Sequence, residues 1–331
     1  MKEKIEKKCI AICIALMLVS IMIQPVAAWG DITHIAITNE LEGAEDIPDQ
    51  VKDYPKFTRG GAIGTDMFYF LPGYEYSDLA HTTKTADLPR EMLRLASTSW
   101  IFKDQKKAYA YGWLSHHADL KGHTEYVNDQ VNTYSHSHEE VELGVDANLA
   151  GEVTDSTIYV PYTLVQTAYE NTYNVKPKLA TIITATTIQQ TVIYIERVLI
   201  SAGAFDDLKV EIDDFGDAYK NSISYSESAI ISPDKLQNCN LITGDCPEES
   251  QTSVVVTSML VSSSLNKANQ NKVNPDIHDA ANELLKKGVI KVPVKVDKKN
   301  EVLKVGKPVI KDKKAFDDAI AELIKKKKDK K

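Results

Sequence analysis

The chain has few cysteines and no CxxC pair, so a zinc site built from thiolates is not expected. Beyond residue 28 only Cys239 and Cys246 occur, with six residues between them. Such a pair is typical of a disulfide that closes a small surface loop in an oxidising compartment. Any metal site in this chain is therefore expected to use other ligands.

An excess of positive charge is also missing. The 331 residues carry a net charge of −8, which argues against a nucleic-acid binder held by a generally basic surface. Hydrophobic residues make up 43% of the chain and charged residues 26%, which excludes a collagen-like, disordered or polytopic membrane protein. The composition predicts a folded protein of one or two domains.

A long apolar run occurs at the start of the chain. Four lysines precede the fifteen residues from Cys9 to Ile23, and small residues follow at Ala27 and Ala28. This order is typical of a secretory signal peptide, and the run is shorter than the roughly 20 residues of a membrane-spanning helix. We expect residues 1–28 to be cleaved on secretion, so that Trp29 becomes the amino terminus. An uncleaved membrane anchor is the alternative.

The chain beyond the signal is predicted to be mainly helical. Residues 57–80 are rich in glycine and aromatic residues, which suggests an ordered loop. Apolar periodicity and a capping Asp31 predict helices that start near residue 31 and that cover residues 88–102, 108–127, 139–149, 161–173, 178–200 and 206–231.

A second, basic region follows a break near Asn274. Alternating valines predict short strands at 289–296 and near residue 302, between helices over 279–287 and 316–324. Residues 286–331 hold 17 Lys/Arg and 7 Asp/Glu, whereas residues 29–285 carry a net charge of −20. The final run Lys325–Lys328 is predicted to be a solvated end. Membrane-surface contact with anionic lipid, or docking onto a wall polymer, is the alternative.

The candidate chemistry lies in the histidines, seven of which fall within one third of the chain. On a helix, His116, Asp119 and His123 would stand within roughly 60° of one another, on one face. Two imidazoles and a carboxylate on one stripe suit a first-row metal such as zinc, manganese or iron. His117 would point about 100° away, at the surface or behind the ligands, so His116 is the favoured ligand.

A second pair of candidate ligands has helical i, i+4 spacing. His138 with Glu142 and His136 with Glu140 both fit, so spacing alone does not choose between them. Glu142 lies among apolar neighbours, where an unpaired carboxylate would be costly. This favours His138 and Glu142 as the inward pair.

Three further candidates precede these: the opening Trp29-Gly30-Asp31-Ile32-Thr33-His34, then Asp66, then His81. The combined order, directly behind a cleavage site, resembles the zinc-dependent phospholipase C superfamily. That superfamily includes bacterial phospholipases C, the amino-terminal domain of glycosylphosphatidylinositol-specific phospholipase D, and single-strand-specific nucleases whose mature chains open Trp-Gly-x-x-x-His. The resemblance is strongest over residues 29–150.

The resemblance implies a phospholipase C-like helical bundle over residues 29–272, with a small α+β appendage over residues 273–331. It also implies three zinc ions. One would be held by Asp66, His81, His116 and Asp119, the second by His123, His138 and Glu142, and the third by His34, Asp119 and the amino nitrogen and carbonyl oxygen of Trp29.

The same resemblance implies a phosphodiesterase mechanism in which a zinc-bound hydroxide attacks phosphorus. Two close zinc ions would generate the hydroxide, and the third would neutralise charge on the leaving oxygen. Asp119 would bridge two metals, and Asp66 would orient or deprotonate the attacking water.

Three hypotheses about the function stay open. Phospholipid is favoured, with Phe68, Tyr69, Phe70 and Tyr74 lining an apolar or choline-binding mouth, unless this aromatic loop only packs over the bundle. A single-strand nuclease would stack bases on the same rings, but the acidic main domain disfavours nucleic acid. The third hypothesis is a secreted zinc-binding or cell-surface protein without turnover.

Overall fold

Thirteen α-helices form most of the part of the chain that the computed structural model describes, which comprises residues 29–72, 75–82, 84–134, 136–236 and 274–329. The predicted mainly helical class is confirmed. The predicted signal peptide, Tyr74 and the predicted disulfide between Cys239 and Cys246 lie outside the described residues. Within the described ranges, no helix combines the length and apolar character that crossing a bilayer requires.

The described residues also contain two short 3₁₀ turns, Met67–Phe70 and Pro233–Leu236. In chain order the helices are α1 Asp31–Gly43, α2 Asp49–Asp53, α3 Pro55–Ala62, α4 Glu75–Thr82, α5 Asp87–Thr98, α6 Lys103–Tyr134, α7 His138–Leu149, α8 Tyr162–Tyr173, α9 Leu179–Ser201, α10 Asp206–Glu211, α11 Gly216–Ile231, α12 Pro275–Lys286 and α13 Lys313–Asp329.

The strands link the appendage to the helical region. β1 (Ile158–Val160) pairs antiparallel with β4 (Val302–Val305), which also pairs with β3 (Val294–Asp297), so the sheet order is β1-β4-β3. A separate ribbon joins β2 (Ile290–Lys291) to β5 (Val309–Ile310). One sheet thus contains strands from both regions, and the domain boundary at residue 272 stays a prediction.

Helix α6 is the centre of the fold, with α3, α5 and α11 packed against it. Residues 112–124 of α6 are all buried, so this stretch is surrounded on every face. Glycine permits the closest approach, because a Cβ at Gly61 would collide with the Tyr109 carbonyl and one at Gly112 with the Thr58 carbonyl. This close contact places the carboxyl end of α3 against residues 109–113 of α6.

Two predictions of secondary structure are wrong. Residues 57–80 are not a loop: α3, the first 3₁₀ turn and α4 cover most of them, because the glycines here serve helix packing and Pro55 starts α3 at its first turn. The helix predicted over residues 206–231 is two helices, interrupted before Gly216. Asp214 in the interruption accepts hydrogen bonds from Tyr126 (2.7 Å) and Gln130 (3.4 Å) of α6.

Candidate metal centre

The structure brings the sequence-predicted ligands to the interior of the helical region. Helix α1 supplies His34, α4 supplies His81, and α6 and α7 supply most of the others. All nine predicted residues are buried except His138, which is half-buried: Trp29, His34, Asp66, His81, His116, Asp119, His123, His138 and Glu142.

Backbone carbonyl groups fix two of these histidine rings. His116 donates from Nδ1 to the Ala62 carbonyl at 2.7 Å, and His81 donates from Nδ1 to the Ser77 carbonyl at 2.8 Å. Since a carbonyl only accepts, both neutral rings carry their proton on Nδ1 and a lone pair on Nε2. The two Nε2 atoms nevertheless lie 3.0 Å apart.

Asp66 completes this first cluster, which we call the carbonyl-fixed group (Asp66, His81 and His116). Its Oδ1 lies 3.0 Å from His81 Nε2, and its Oδ2 lies 3.8 Å from His116 Nε2. Burial, followed by the charge of His34, holds the pKa of His116 well below its usual range, so a proton is not stable there. Facing lone pairs and a carboxylate fit a bound cation, and histidines oriented by carbonyls are the usual arrangement around zinc.

A second cluster lies between α6 and α7, and we call it the Glu142 group (His123, His138 and Glu142). Glu142 Oε1 is 3.2 Å from His123 Nε2 and 2.8 Å from His138 Nε2. Burial lowers the pKa of His123 to about 4, which keeps that imidazole neutral as a metal requires. The pKa of the Glu142 carboxyl is lowered overall. Burial alone would raise it, but the charge of His138 and the hydrogen bonds from both rings outweigh the effect of burial.

Contacts at the start of α7 distinguish the alternative pair, His136 and Glu140, from the inward pair. Glu140 accepts from the Ser137 backbone at 2.8 Å, and the Ser137 hydroxyl accepts from the Glu140 amide, which together form a capping box. His136 lies 3.9 Å from Glu140. Glu140 therefore caps the helix together with Ser137, while His138 and Glu142 face the interior.

His34 and Asp119 adjoin the carbonyl-fixed group, and His34 lies close enough to Asp66 and His116 to share an ion with them, rather than in a separate site as the resemblance implies. His34 Nδ1 is 3.0 Å from Asp119 Oδ2, and His34 Nε2 is 3.9 Å from Asp66 Oδ2. Asp119 Oδ1 is buried without a hydrogen-bond partner among the described residues, so it is an open ligand position. Burial raises the pKa of Asp119 to about 6, against the opposing charge and hydrogen bond of His34.

Trp29 is anchored beside this pair. Its indole Nε1 donates to Ser222 Oγ at 2.9 Å, and the Ser222 hydroxyl donates to the Asp119 carbonyl at 2.9 Å. The Trp29 ring also stands edge-on to His123, with centroids 5.1 Å apart. The Trp29 side chain is thus fixed beside His123 and Asp119, and the role of its amino nitrogen and carbonyl oxygen as ligands stays a prediction.

The expectation that His117 lies at the surface or behind the ligands is resolved by its burial. The side chain is fully buried, because α6 is covered on all sides here, and its ring lies 5.8 Å from that of His81. The group of atoms close enough to share an ion with His34 and Asp66 contains His116. His117 therefore lies behind the ligands.

A narrow cavity of about 50 Å³ opens onto the centre. Tyr69 and Phe70 line it, whereas Phe68 packs against Tyr76 and Tyr169 at ring distances of 5.0 and 5.9 Å. The predicted aromatic mouth and the alternative of simple packing thus each describe part of this segment. The full lining is Trp29, Gly30, Asp31, Asp66, Tyr69, Phe70, Glu139, Glu142, Leu143, Asp146, Val192, Glu196 and Asn274.

Four carboxylates in this lining were not predicted as site residues: Asp31, Glu139, Asp146 and Glu196. Burial raises the pKa of Asp146 to about 6, and burial also raises the pKa of Asp31 and Glu196 well above their usual ranges. Two of them had a signal in the sequence, because Asp146 follows Glu142 by one helical turn and Glu196 lies in a stretch whose only other charge is the adjacent Arg197.

The appendage also reaches the centre, through residues that the sequence did not indicate. His278 of α12 lies with Nε2 3.1 Å from the Phe70 carbonyl, and its ring centroid is 6.3 Å from that of Phe70. Asn274, which caps α12, lines the cavity. The eighth histidine, the one outside the predicted cluster, therefore supports the wall of the site.

Together, a mainly helical fold and a largely buried centre of five histidines and three carboxylates define the class: a helical protein with two ligand clusters that could each hold a metal ion. Residues 33–192 match the family model of zinc dependent phospholipase C. The family predicted from the sequence is confirmed. Searches of curated proteins and of solved structures gave no significant match.

Proposed function

We propose that this protein is a zinc-dependent phosphodiesterase that hydrolyses phospholipids in the manner of a phospholipase C. The family supports zinc and phosphodiester hydrolysis. The observation that carries the proposal is the carbonyl-fixed group, in which two Nε2 lone pairs face each other at 3.0 Å beside Asp66. The number of three ions, the ligand sets and the phospholipid substrate are parts of the proposal.

The two predicted catalytic carboxylates have different surroundings. Asp66 lines the cavity, with 12% of its side chain exposed, whereas the Asp119 side chain is fully buried. Only Asp66 can therefore meet substrate or attacking water. Asp119 would act from behind, as an anion that faces His34 and that would help to hold zinc.

Bound zinc would supply Lewis-acid charge for the phosphoryl group and make water more acidic. The Asp66 carboxylate orients the attacking water and accepts its proton as the water oxygen bonds to phosphorus. The phosphorus–oxygen bond to the leaving group then breaks, the departing oxygen takes a proton from solvent water, and Asp66 returns its proton to solvent. Carbonyl bonds to His81 and His116 hold those rings still, so the geometry needs little rearrangement during the reaction.

The lining of the cavity favours a lipid diester over a nucleic acid. Asp31, Glu139, Asp146 and Glu196 are part of its lining, and a cavity of about 50 Å³ is narrow for a polynucleotide strand. A phospholipid brings one diester and a large apolar part. The aromatic rings of Tyr69 and Phe70 are compatible with either substrate.

We also propose that the protein is exported and that cleavage after Ala28 creates the amino group of Trp29. The pattern of residues 1–28 and the anchoring of Trp29 beside Asp119 support this. The exposed Lys325, Lys326 and Lys328 add a surface for anionic lipid in this proposal, whereas Lys327 is half-buried against Phe205.

The test is a substrate comparison with the mature protein starting at Trp29. Phosphatidylcholine vesicles, single-stranded DNA and the soluble diester bis-p-nitrophenyl phosphate are offered with zinc, with a chelator, and with zinc restored. We expect zinc-reversible release of a phosphorylated headgroup from the vesicles. Preferred cleavage of DNA would establish the nuclease alternative, and no turnover of any diester by zinc-loaded protein would establish the zinc-binding surface protein.

A further inference from the structure

A second cavity, of about 240 Å³, lies beside the metal centre. We call it the apolar groove, since most of the side chains along its length are hydrocarbon. It is lined by Ser137, Glu139, Glu140, Leu143, Leu199, Ala204, Phe205, Leu208, Asn274, Pro275, Asp276, Ile277, Leu323 and Lys327. One wall belongs to the family segment and to α9–α10, and the other belongs to α12 and α13 of the appendage.

The apolar groove adjoins the cavity of the metal centre. Glu139, Leu143 and Asn274 line both spaces. A diester held at the carbonyl-fixed group therefore has an apolar space within reach along the α7 and α12 walls. Nothing in the ligand clusters themselves uses this space.

Lys327 gives the apolar groove a polar feature. Its ammonium lies 3.6 Å from the centroid of the Phe205 ring and has no hydrogen-bond acceptor among the described residues. Burial lowers the pKa of Lys327 to about 8, which reflects the cost of removing the charge from water. An occupant that combines hydrocarbon with an ester or phosphate oxygen would cover the apolar wall and supply the missing acceptor.

We propose that the apolar groove binds an acyl chain of the phospholipid whose diester lies at the metal centre. This inference rests on the proposed function and extends it to the lipid part of the substrate. It also gives the appendage a role, because α12 and α13 complete the groove that the family segment leaves open. A soluble diester without a long chain would not use this space.

The binding test fills the groove and leaves the metal ligands intact. Ala204 lines the groove, whereas Ala202 is exposed two residues earlier, so Ala204→Phe and the control Ala202→Phe add the same ring at matched places. The probe is a polyene fatty acid whose fluorescence rises in apolar surroundings, added to the mature protein as purified. We expect Ala204→Phe to weaken binding about tenfold or more, and Ala202→Phe to bind like the parent protein.

A graded variant guards against a folding defect. Ala204→Leu adds less volume, so its loss of probe binding should fall between those of the parent and Ala204→Phe, and circular dichroism checks each fold. Equal probe binding by Ala204→Phe and Ala202→Phe, or no binding by the parent protein, would overturn the proposal.

A kinetic comparison separates this inference from the proposed function. The ratio of kcat/KM for a long-chain phospholipid to that for a short-chain phospholipid should fall in Ala204→Phe and stay at the parent value in Ala202→Phe. A ratio unchanged by Ala204→Phe would also overturn the groove. Probe binding that is lost in Ala204→Phe, in a protein that hydrolyses no diester, would sink the proposed function and leave the groove standing.

Discussion

The two ligand clusters are held in place by different parts of the chain. In the carbonyl-fixed group, the backbone of α3 and α4 orients His116 and His81, and both side chains are fully buried. In the Glu142 group, one carboxylate contacts both histidines, and His138 and Glu142 are 13% and 11% exposed. A backbone carbonyl within a helix has a fixed orientation, whereas the Glu142 side chain can change its rotamer. The carbonyl-fixed group is therefore the rigid half of the centre.

Asp119→Asn tests the predicted bridging ligand, and it should have the largest effect. The change removes the charge that faces His34 at 3.0 Å and leaves one side-chain oxygen where the carboxylate offers two. We expect kcat/KM for the soluble diester to fall by more than the roughly 10–100-fold that loss of an outer partner costs. Steady-state kinetics with saturating zinc measures this. A loss equal to or smaller than that of His34→Ala would contradict a bridging role.

Glu142→Gln tests the less rigid half. The amide keeps the shape but loses the charge that both rings contact, so the Glu142 group should bind zinc about 10–100-fold more weakly and one ion should be lost on dialysis. Elemental analysis after dialysis gives the count. Glu140→Gln is the matched control, because Gln retains the capping box of α7. Equal zinc content in the two variants would show that Glu142 is not a ligand.

Asp146→Asn examines the acidic wall by its pH dependence. Asp146 has a pKa raised to about 6, mainly by burial, so the folded protein holds this proton after the unfolded chain has lost it. The contribution of Asp146 to the free energy of unfolding is therefore greatest below about pH 4, the pKa of this group in the unfolded chain. It falls as the pH rises to about 6, by at most about 3 kcal/mol. Asn does not titrate, and its oxygen can still accept from Thr33.

The measurement is urea unfolding of the zinc-free protein. Between pH 4 and 6 the free energy of unfolding of Asp146→Asn should rise relative to that of the parent protein, and above pH 6 the difference between the two should stay constant. The exposed Glu152→Gln is the control and should follow the parent. A stability difference that is independent of pH would contradict the raised pKa.

His278→Ala should have the smallest effect, because this residue supports the wall and touches no ligand. Loss of the 3.1 Å contact with the Phe70 carbonyl should raise KM several-fold, on the order of the 1 kcal/mol of a hydrogen bond, with little change in kcat. His278→Gln can still donate and should restore KM, while the exposed Lys286→Ala on α12 should behave as the parent. A change in kcat alone would argue against this role.

The sequence predicted which candidate ligands lie together better than it predicted the fold around them. His116, Asp119 and His123 were placed on one helical face, and α6 is one continuous helix through all three. Periodicity carries that information locally. It does not say that α6 is covered on every side, so the burial of His117 was left open.

Long-range contacts were beyond the sequence patterns. The pairing of β1 with β4 joins three-residue and four-residue strands about 145 residues apart, and neither has a pattern that specifies the other. The contact of His278 with Phe70 likewise depends on where α12 packs. Gly61 was assigned to a loop because glycine is common in turns, whereas here it allows α3 to approach α6.

The central claim is that these residues form a zinc centre completed by Trp29, and metal content tests it most directly. Elemental analysis of protein whose amino-terminal sequencing begins at Trp29 should give about three zinc ions per chain. A variant that begins Met-Ala-Trp29 should lose one ion, because it lacks the free Trp29 amine. One zinc ion or none in the correctly processed protein would contradict the account.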